Sequence, residues 1–237
     1  MRTFSRTVLF ITAAISVFAF AASAHAQNIF TDNFTLPNGS TDPNWTIANG
    51  TWSVNNGRYA SGTHSALTPI TTSFANTAAL TNFNVDVDIK GSQDGGFLLR
   101  AQNANNAIAL IVRPNFNDVY WHVRQGGNWG AALNSTALGF GSQPDLHVSV
   151  SVIGNQYNAT ITNGLSSRSL AFNSSAFASG QVALYNFGDS ESFDNFVISA
   201  VNTPEPGSVA LMTAAMLSIG CLCVRRRFSR SFCKRIE

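Results

Sequence analysis

Tyr120, His122 and Arg124 occupy alternate positions of one short segment and could together contact a ligand. In a β-strand, alternate side chains point to the same face, so these three would be presented together while Trp121 points the other way, into a core. Sugars offer C–H faces that stack on aromatic rings and hydroxyl groups that pair with planar hydrogen-bonding side chains. The row therefore predicts a carbohydrate-binding surface; an ordinary solvated sheet face is the alternative.

Four further residues are secondary candidates for this surface. Arg100 and Gln102 lie on a predicted neighbouring strand and could extend the row. Trp45 and Trp129 fall in predicted loops, where exposed indoles make platforms for sugars. A loop tip at Trp129 that folds back to cap the core is an equal alternative, and Trp52 is predicted to be part of the core.

The carboxylates do not favour an enzyme. Glycosidases use two carboxyl groups set a few ångströms apart, but Glu191 is the only glutamate between residues 27 and 203. Asp86 and Asp88 share one face of a predicted strand and form a conceivable pair, yet polar residues alternating on an outward face explain them more simply. The histidines are scattered, without the spacing of a catalytic metal site. We therefore assign no catalytic residue.

Charge divides the chain into three parts and argues against a nucleic-acid partner. Only 11% of the 237 residues are charged, and the formal net charge is +2. The part between residues 27 and 203 holds 6 basic and 10 acidic residues, so its balance is acidic. All three cysteines follow residue 203: Cys221, Cys223 and Cys233. The middle part is thus a domain whose polar residues are mostly uncharged and which must fold without a disulfide.

Short alternating runs rich in Val, Ile, Phe and Tyr recur through residues 27–202, separated by clusters of Asn, Gly, Ser and Asp. This is the pattern of strands joined by turns, and it predicts an all-β domain of two packed antiparallel sheets. Twelve strands are predicted, at residues 29–34, 51–54, 58–61, 83–90, 97–102, 107–113, 119–124, 147–153, 157–162, 169–172, 181–185 and 192–199.

The amino-terminal end has the features of an export signal. Arg2 and Arg6 precede an apolar run over residues 8–22, and Ala24 and Ala26 place small residues where a signal peptidase cuts. We predict a signal peptide over residues 1–26, cleaved after Ala26. A transmembrane anchor is the alternative, but the run is short for that role.

The carboxy-terminal end predicts a membrane span. Residues 207–224 carry no charge, and a helix of that length just crosses a hydrocarbon core of about 30 Å. Arg225, Arg226 and Arg227 follow directly, and positive residues resist translocation, so residues 231–237 would form a cytoplasmic tail. Both ends agree on a middle domain outside the inner membrane.

Pro204, Glu205 and Pro206 stand directly before this span, and the arginine cluster follows it. Over residues 203–230 this order resembles a PEP-CTERM sorting signal. The resemblance implies a temporary anchor that is removed by a membrane protease, exosortase, in bacteria that make extracellular polysaccharide. It further implies a protein of the cell surface or the extracellular matrix. An ordinary anchor with a chance proline pair is the alternative.

The middle domain carries a second, more diffuse resemblance, which spans most of residues 29–199. It looks like the concanavalin A-like, laminin-G-like jelly rolls of secreted bacterial proteins, on the residue ranges 32–34, 45–46, 50–57, 96–102, 178–185 and 192–198. The resemblance implies that the concave sheet binds a glycan, which places the Tyr120 row first among the candidates.

The jelly-roll resemblance also implies a possible structural calcium ion where the first and last strands meet. Asp32 and Asp194 would then lie together and supply the oxygen ligands that calcium prefers. The alternative is that both aspartates cap turns.

Three functions follow as expectations. The first is noncatalytic binding of an extracellular polysaccharide, the second is hydrolysis of a glycan on the same fold, and the third is a structural matrix protein without a defined ligand.

Overall fold

A computed structural model of the chain describes residues 27–62, 70–187 and 191–201. These residues belong to one compact unit, Ala26–Val201. Ala24 and Ala26, the Pro-Glu-Pro motif, residues 207–224 and the arginine cluster lie outside the described residues, so the export and sorting signals stay predictions. Among the described residues, no helix has the length and apolarity needed to cross a membrane.

The described chain forms sixteen β-strands and one short 3-10 turn at Pro114–Phe116. The strands are Asn28–Asp32 (β1), Trp45–Asn49 (β2), Trp52–Asn55 (β3), Arg58–Ser61 (β4), Thr71–Ala75 (β5), Phe83–Lys90 (β6), Gly95–Asn103 (β7), Asn106–Arg113 (β8), Asp118–Gln125 (β9), Asn128–Trp129 (β10), Leu133–Ala137 (β11), Leu146–Ile153 (β12), Gln156–Thr162 (β13), Ser167–Asn173 (β14), Gln181–Asn186 (β15) and Ser192–Ala200 (β16).

Two eight-stranded antiparallel sheets form a sandwich, which confirms the predicted jelly-roll fold class. The back sheet runs β14-β13-β12-β6-β16-β4-β3, with β1 paired to β16. The front sheet runs β10-β9-β8-β7-β15-β5-β2, with β11 paired to β9. The first and last strands are therefore partners, and the Ala200 amide donates a hydrogen bond of 2.8 Å to the Gln27 carbonyl oxygen.

The inner faces of the two sheets enclose one apolar core. Front-sheet residues such as Leu110 and Trp121 pack with back-sheet residues such as Val85 and Val148, and all four are buried. Trp52 also belongs to this core, as the sequence predicts. Because the domain contains no cysteine, this packing holds the sheets together.

The outer faces of the two sheets differ in chemistry. In the back sheet, β6 alternates strictly between buried and half-buried residues, so its outer face is polar. In the front sheet, β8 is buried at six consecutive positions, because a second apolar cluster lies on the outer face. This cluster holds small residues such as Ala109 and aromatic residues such as Tyr120 and Tyr185. The candidate site lies on this front outer face.

Candidate functional site

The floor of the site is a shallow trough across the front sheet. The cross-strand row Tyr185, Gly96, Ile111 and Tyr120 is in register over four strands, and Ala109 lies opposite His122 in the next row. Small residues between large ones leave a depression with aromatic edges. Gly96 has a φ of 141°, and a Cβ there would lie 2.1 Å from the Leu110 carbonyl oxygen, so only glycine fits this part of the floor.

Aromatic rings line one side of the trough as a continuous series. The ring centroids of Tyr120 and His122 are 4.9 Å apart, those of His122 and Trp129 are 5.3 Å apart, and those of Trp129 and Tyr185 are 5.6 Å apart. The series runs from β9 through β10 to β15, and its last contact, between Trp129 and Tyr185, joins segments that are far apart in sequence. The arrangement offers several ring faces and edges for stacking against the C–H face of a sugar.

The resulting groove has a volume of about 380 Å³. Its size lies within the range of small-molecule sites, roughly 300–1,000 Å³. Two of its lining residues are joined directly, because the Phe187 amide donates a 2.7 Å hydrogen bond to the Asp94 carbonyl oxygen. The lining residues are Ile70, Asp94, Ile111, Arg113, Tyr120, His122, Trp129, Tyr185 and Phe187.

His122 acts as a neutral ring in this groove. Burial lowers the pKa of His122, although the Ala131 carbonyl, 3.0 Å from Nδ1, opposes part of that shift. Because a carbonyl only accepts, Nδ1 carries the proton and Nε2 of the neutral ring is an acceptor. The ring can therefore accept a hydrogen bond from a sugar hydroxyl.

Arg113 has a fixed charge partner at the groove. Its Nε and Nη2 donate to Asp118 at 2.9 and 2.6 Å, in a bidentate pair. This pair, despite some desolvation, raises the pKa of Arg113. The guanidinium also lies over the Tyr120 ring, with its carbon 4.8 Å from the ring centroid. Arg113 thus holds Tyr120 in place and brings no net charge to the groove.

Arg124 lies beneath Trp129, next to the groove, and is 6% exposed. Its guanidinium carbon is 4.3 Å from the centroid of the Trp129 ring. Nη2 donates to Asn105 Oδ1 at 3.3 Å, while Nε and Nη1 are buried and donate no hydrogen bond within the described residues. Burial lowers the pKa of Arg124.

Glu191 lies fully buried behind the turn that carries Asp94. Its Oε2 accepts hydrogen bonds from the Gln93 amide at 2.8 Å and the Ser92 hydroxyl at 3.5 Å. Gly95 leaves the room for this carboxyl, because a Cβ there would lie 1.6 Å from Oε1. Burial raises the pKa of Glu191 to about 8. This carboxyl supports the groove from behind and does not line it.

Trp45 is in the core, which corrects its assignment as an exposed sugar platform. It lies on β2 and is 4% exposed. Its Nε1 donates to Asp32 Oδ2 at 3.0 Å, and its ring contacts Phe34 and Tyr59. A buried carboxylate partner lets the indole enter the core without losing its hydrogen bond.

Arg100 and Gln102 do not extend the row, which is a second correction. Arg100 has a φ of 47°, and the register of β7 shifts around it, so a bulge redirects its side chain. It is 1% exposed and donates to the carbonyls of Thr81, Phe177 and Gly154. The exposed Gln102 donates to backbone carbonyls, including that of residue 179.

Asp32 and Asp194 both accept hydrogen bonds from local backbone amides, as in the capping alternative to the calcium site. Asp32 accepts hydrogen bonds from the Phe34 amide at 2.9 Å, the Asn44 amide group at 3.2 Å and the Trp45 indole. Asp194 Oδ1 accepts from the Asn195 amide at 2.7 Å. In the described ranges, no group of three or more His, Cys, Asp or Glu side chains could hold a metal ion.

Asp86 and Asp88 share the outer face of the back sheet, away from the groove. Asp88 Oδ1 is 2.8 Å from His147 Nδ1, and its Oδ2 accepts from Asn195 Nδ2 at 2.8 Å. Ser149 lies 3.2 Å from His147 Nε2, but its hydroxyl donates to Asp86 at 2.5 Å. The serine proton therefore faces a carboxylate instead of the imidazole, and this network ties β6 to β12 and β16.

Sequence reasoning missed several lining residues, among them Tyr185, Arg113 and Asp94. Tyr185 reaches the groove through the register of β15 with β7. Alternation along residues 181–185 could have placed Tyr185 on one sheet face, but it could not have shown which strand lies beside it. Burial strongly raises the pKa of Tyr185, so its hydroxyl stays protonated.

No family model matches the chain, and no curated protein matches it significantly. Solved structures share its fold. The carbohydrate-binding module CBM66 from Bacillus subtilis has a TM-score of 0.55 and 17% identity, and the match covers 66% of this chain and 96% of that one. The exoplasmic/lumenal domain of VIP36, in a form bound to Ca²⁺ and Man3GlcNAc, has a TM-score of 0.54 and 12% identity, covering 76% and 93%.

A longer solved chain also shares the fold. GH43B of the Bacteroides ovatus xyloglucan PUL has a TM-score of 0.52 and 13% identity, and the match covers 74% of this chain and only 40% of that one. At these identities the comparisons establish the fold alone, a jelly-roll sandwich.

Proposed function

We propose that this domain is a noncatalytic carbohydrate-binding module and that the groove on the front outer face holds the sugar. The observation that carries the proposal is the aromatic series Tyr120, His122, Trp129 and Tyr185 around an apolar trough. Such rings stack on sugar C–H faces, while His122 and the tyrosine hydroxyls pair with sugar hydroxyls. Fold neighbours that are carbohydrate-binding modules or lectins support this class of ligand.

The noncatalytic assignment rests on where the carboxyl groups lie. Asp94 is the only carboxylate among the described residues that line the groove. Glu191 is buried behind it, and Asp86 and Asp88 lie on the opposite sheet and are engaged by side-chain partners. A hydrolase needs two carboxyl groups on either side of one glycosidic bond. Hydrolysis and a purely structural matrix role are the competing proposals.

The test is a glycan array with purified residues 27–201, which contain both sheets and the whole core. We expect saturable binding that Trp129→Ala weakens at least tenfold, about 1.4 kcal/mol. Leu165→Ala is the control, because Leu165 is a large apolar residue in the turn between β13 and β14 of the back sheet and is 93% exposed. The proposal fails if both variants bind alike. Cleaved sugar in the mass spectrum would favour the hydrolase, and silence across the array would favour the structural role.

We also propose that residues 1–26 direct export and that residues 203–230 act as a PEP-CTERM-like sorting signal for an exosortase-type protease. The domain would then be held briefly at the inner membrane before it reaches the cell surface or the matrix polysaccharide. Comparing the cellular fraction of the full chain with that of a chain ending at residue 202 tests this proposal. Equal release of both chains would contradict it.

A further inference from the structure

Arg124 differs from the other arginine at the site in having no counter-charge. Arg113 is paired with Asp118 through two hydrogen bonds. None of the ion pairs found in the described parts of the chain includes Arg124. Its one hydrogen-bond acceptor, Asn105 Oδ1, is neutral. A guanidinium buried without an anion is costly unless a ligand compensates it.

Two of its donors are free to bind that ligand. Nε and Nη1 are both buried, and neither donates a hydrogen bond to a described residue. Nε shares one edge of the guanidinium with Nη2, and Nη1 shares the other edge with Nη2. Because Nη2 uses only one of its two N–H groups, on Asn105 Oδ1, one edge keeps both of its N–H groups, and such an edge matches the two oxygens of a carboxylate better than single hydroxyls. The chemistry of the unsatisfied group therefore calls for a planar anion.

The Trp129 side chain that lies over Arg124 belongs to a short hairpin at the edge of the front sheet. Trp129 lies on β10, which has only two residues and pairs only with β9. The turn before it contains Gly126 and Gly127, both with positive φ. Besides its ladder with β9, the hairpin is held by the Gly126, Gly127 and Gly130 amides, which donate to Asn106 Oδ1 and to the carbonyls of residues 105 and 123. A two-residue edge strand held in this way opens at lower cost than the long strands beneath it. Lifting Trp129 would connect the Arg124 donors with the groove.

We propose that Arg124 is the subsite for the carboxylate of an acidic sugar, and that the ligand of this module is a uronic-acid-containing polysaccharide. The inference rests on the proposed function, which names only a glycan. Trp129 would stack on the ring of the acidic unit while Arg124 binds its carboxylate from below. Asp94 lines the groove itself, whereas Arg124 lies next to it, on β9 four residues beyond Tyr120.

The test uses matched pairs of oligosaccharides. Trisaccharides of galacturonic, glucuronic and mannuronic acid are each compared with the neutral trisaccharide made by reducing their carboxyl groups. Trp129 reports binding by fluorescence, since the other three tryptophans are buried in the core. We expect at least one acidic member to bind at least tenfold more tightly than its neutral partner.

Asn105→Asp is the decisive variant, because it supplies an internal carboxylate to Arg124 while leaving Arg124 and Trp129 in place. We expect it to reduce the acidic preference to within about threefold and to raise the melting temperature of the ligand-free domain. Arg124→Gln should also lose the preference, and Arg168→Gln, which changes an arginine on β14, should keep it.

The outcomes separate this inference from the proposed function. If neutral glycans bind and no acidic trisaccharide is preferred, or if Asn105→Asp keeps the full preference, the acidic-sugar subsite is wrong and carbohydrate binding stands. If neither trisaccharide series nor any glycan on the array binds, both proposals are wrong.

Discussion

At the scale of single residues, the buried Glu191 carboxyl stays protonated at pH values at which the same group in the unfolded chain is ionised. Its carboxyl is 1% exposed and, because burial disfavours the charged form, its pKa rises from 4.5 to about 8. Between these two values the folded state binds more protons than the unfolded state does. The free energy of unfolding should therefore fall as pH rises from about 4.5 to 8, by up to about 1.4 kcal/mol per pH unit.

Glu191→Gln should remove this pH dependence, since the amide has no proton to lose. We expect the variant to match the parent protein near pH 5 and to be more stable than the parent near pH 8, as measured by urea unfolding at both pH values. Asp145→Asn is the control. Asp145 is an exposed carboxylate whose pKa is lowered by Lys90, so its contribution to stability is constant above about pH 4 and is lost only below that pH. Asp145→Asn should therefore change stability equally at pH 5 and pH 8 and keep the parent slope. A parent slope retained in Glu191→Gln would contradict this assignment.

Asp32 should hold the edge of the core without a metal ion. Asp32→Ala removes three hydrogen bonds and leaves the Trp45 indole nitrogen buried without its acceptor. We expect a loss of about 3 kcal/mol in the free energy of unfolding, measured by denaturant titration. Since three hydrogen bonds from protein groups already hold Asp32 in place, we expect EDTA to leave the melting temperature of the parent domain unchanged. A lower melting temperature in EDTA would contradict this expectation and support a calcium ion bound at Asp32.

At the scale of elements, the bulge in β7 turns Arg100 from the predicted binding row into a clamp. Its guanidinium donates to three backbone carbonyls and also lies over the Tyr157 ring at 5.3 Å. Arg100→Met would leave those carbonyls without their donor, and we expect it to cost about 3 kcal/mol of stability in urea unfolding. Gln102→Met, two residues along and exposed, should cost less than about 1 kcal/mol. Equal effects would contradict the clamp.

Every one of the twelve predicted strands is present, with ends that agree to within a few residues. The reason is that β6, β12 and β13 alternate cleanly between core and solvent. β5 was missed because all five of its residues are buried, three of them Thr or Ser, which resemble a loop. The hydroxyls of Thr71 and Ser73 find partners only in the folded sheet, where Thr71 donates to the Asn186 carbonyl oxygen at 3.0 Å and Ser73 pairs with Tyr59 at 2.9 Å.

The site could be predicted only as far as local alternation reaches. Alternation along β9 correctly separates Tyr120, His122 and Arg124 from the core face. The prediction that Trp45 is exposed was wrong because the burial of this residue depends on a carboxylate thirteen residues away. The prediction that Arg100 extends the row was wrong because a bulge breaks the alternation along β7. Tyr185 was missed because only long-range strand register brings it to the groove.

At the scale of the whole molecule, the outer faces of the back and front sheets differ in their chemistry. The back sheet presents a polar face on which Asp88 pairs with His147 and Asn195. The front sheet presents an apolar, aromatic face with a groove. An antiparallel sandwich needs only one buried side per sheet, so apolar residues on the second side of the front sheet are an addition that folding does not require. These additional apolar residues favour the front face as the surface that binds the ligand.

The pairing of β1 with β16 brings the two ends of the domain side by side, where residue 200 bonds residue 27. A domain whose ends meet can be circularly permuted or inserted into a loop of another protein with little strain on its host. The exposed turn at Asn163–Ser166 offers a place for new ends, away from the groove. We therefore expect that this domain can be permuted or inserted into another protein while its groove stays intact.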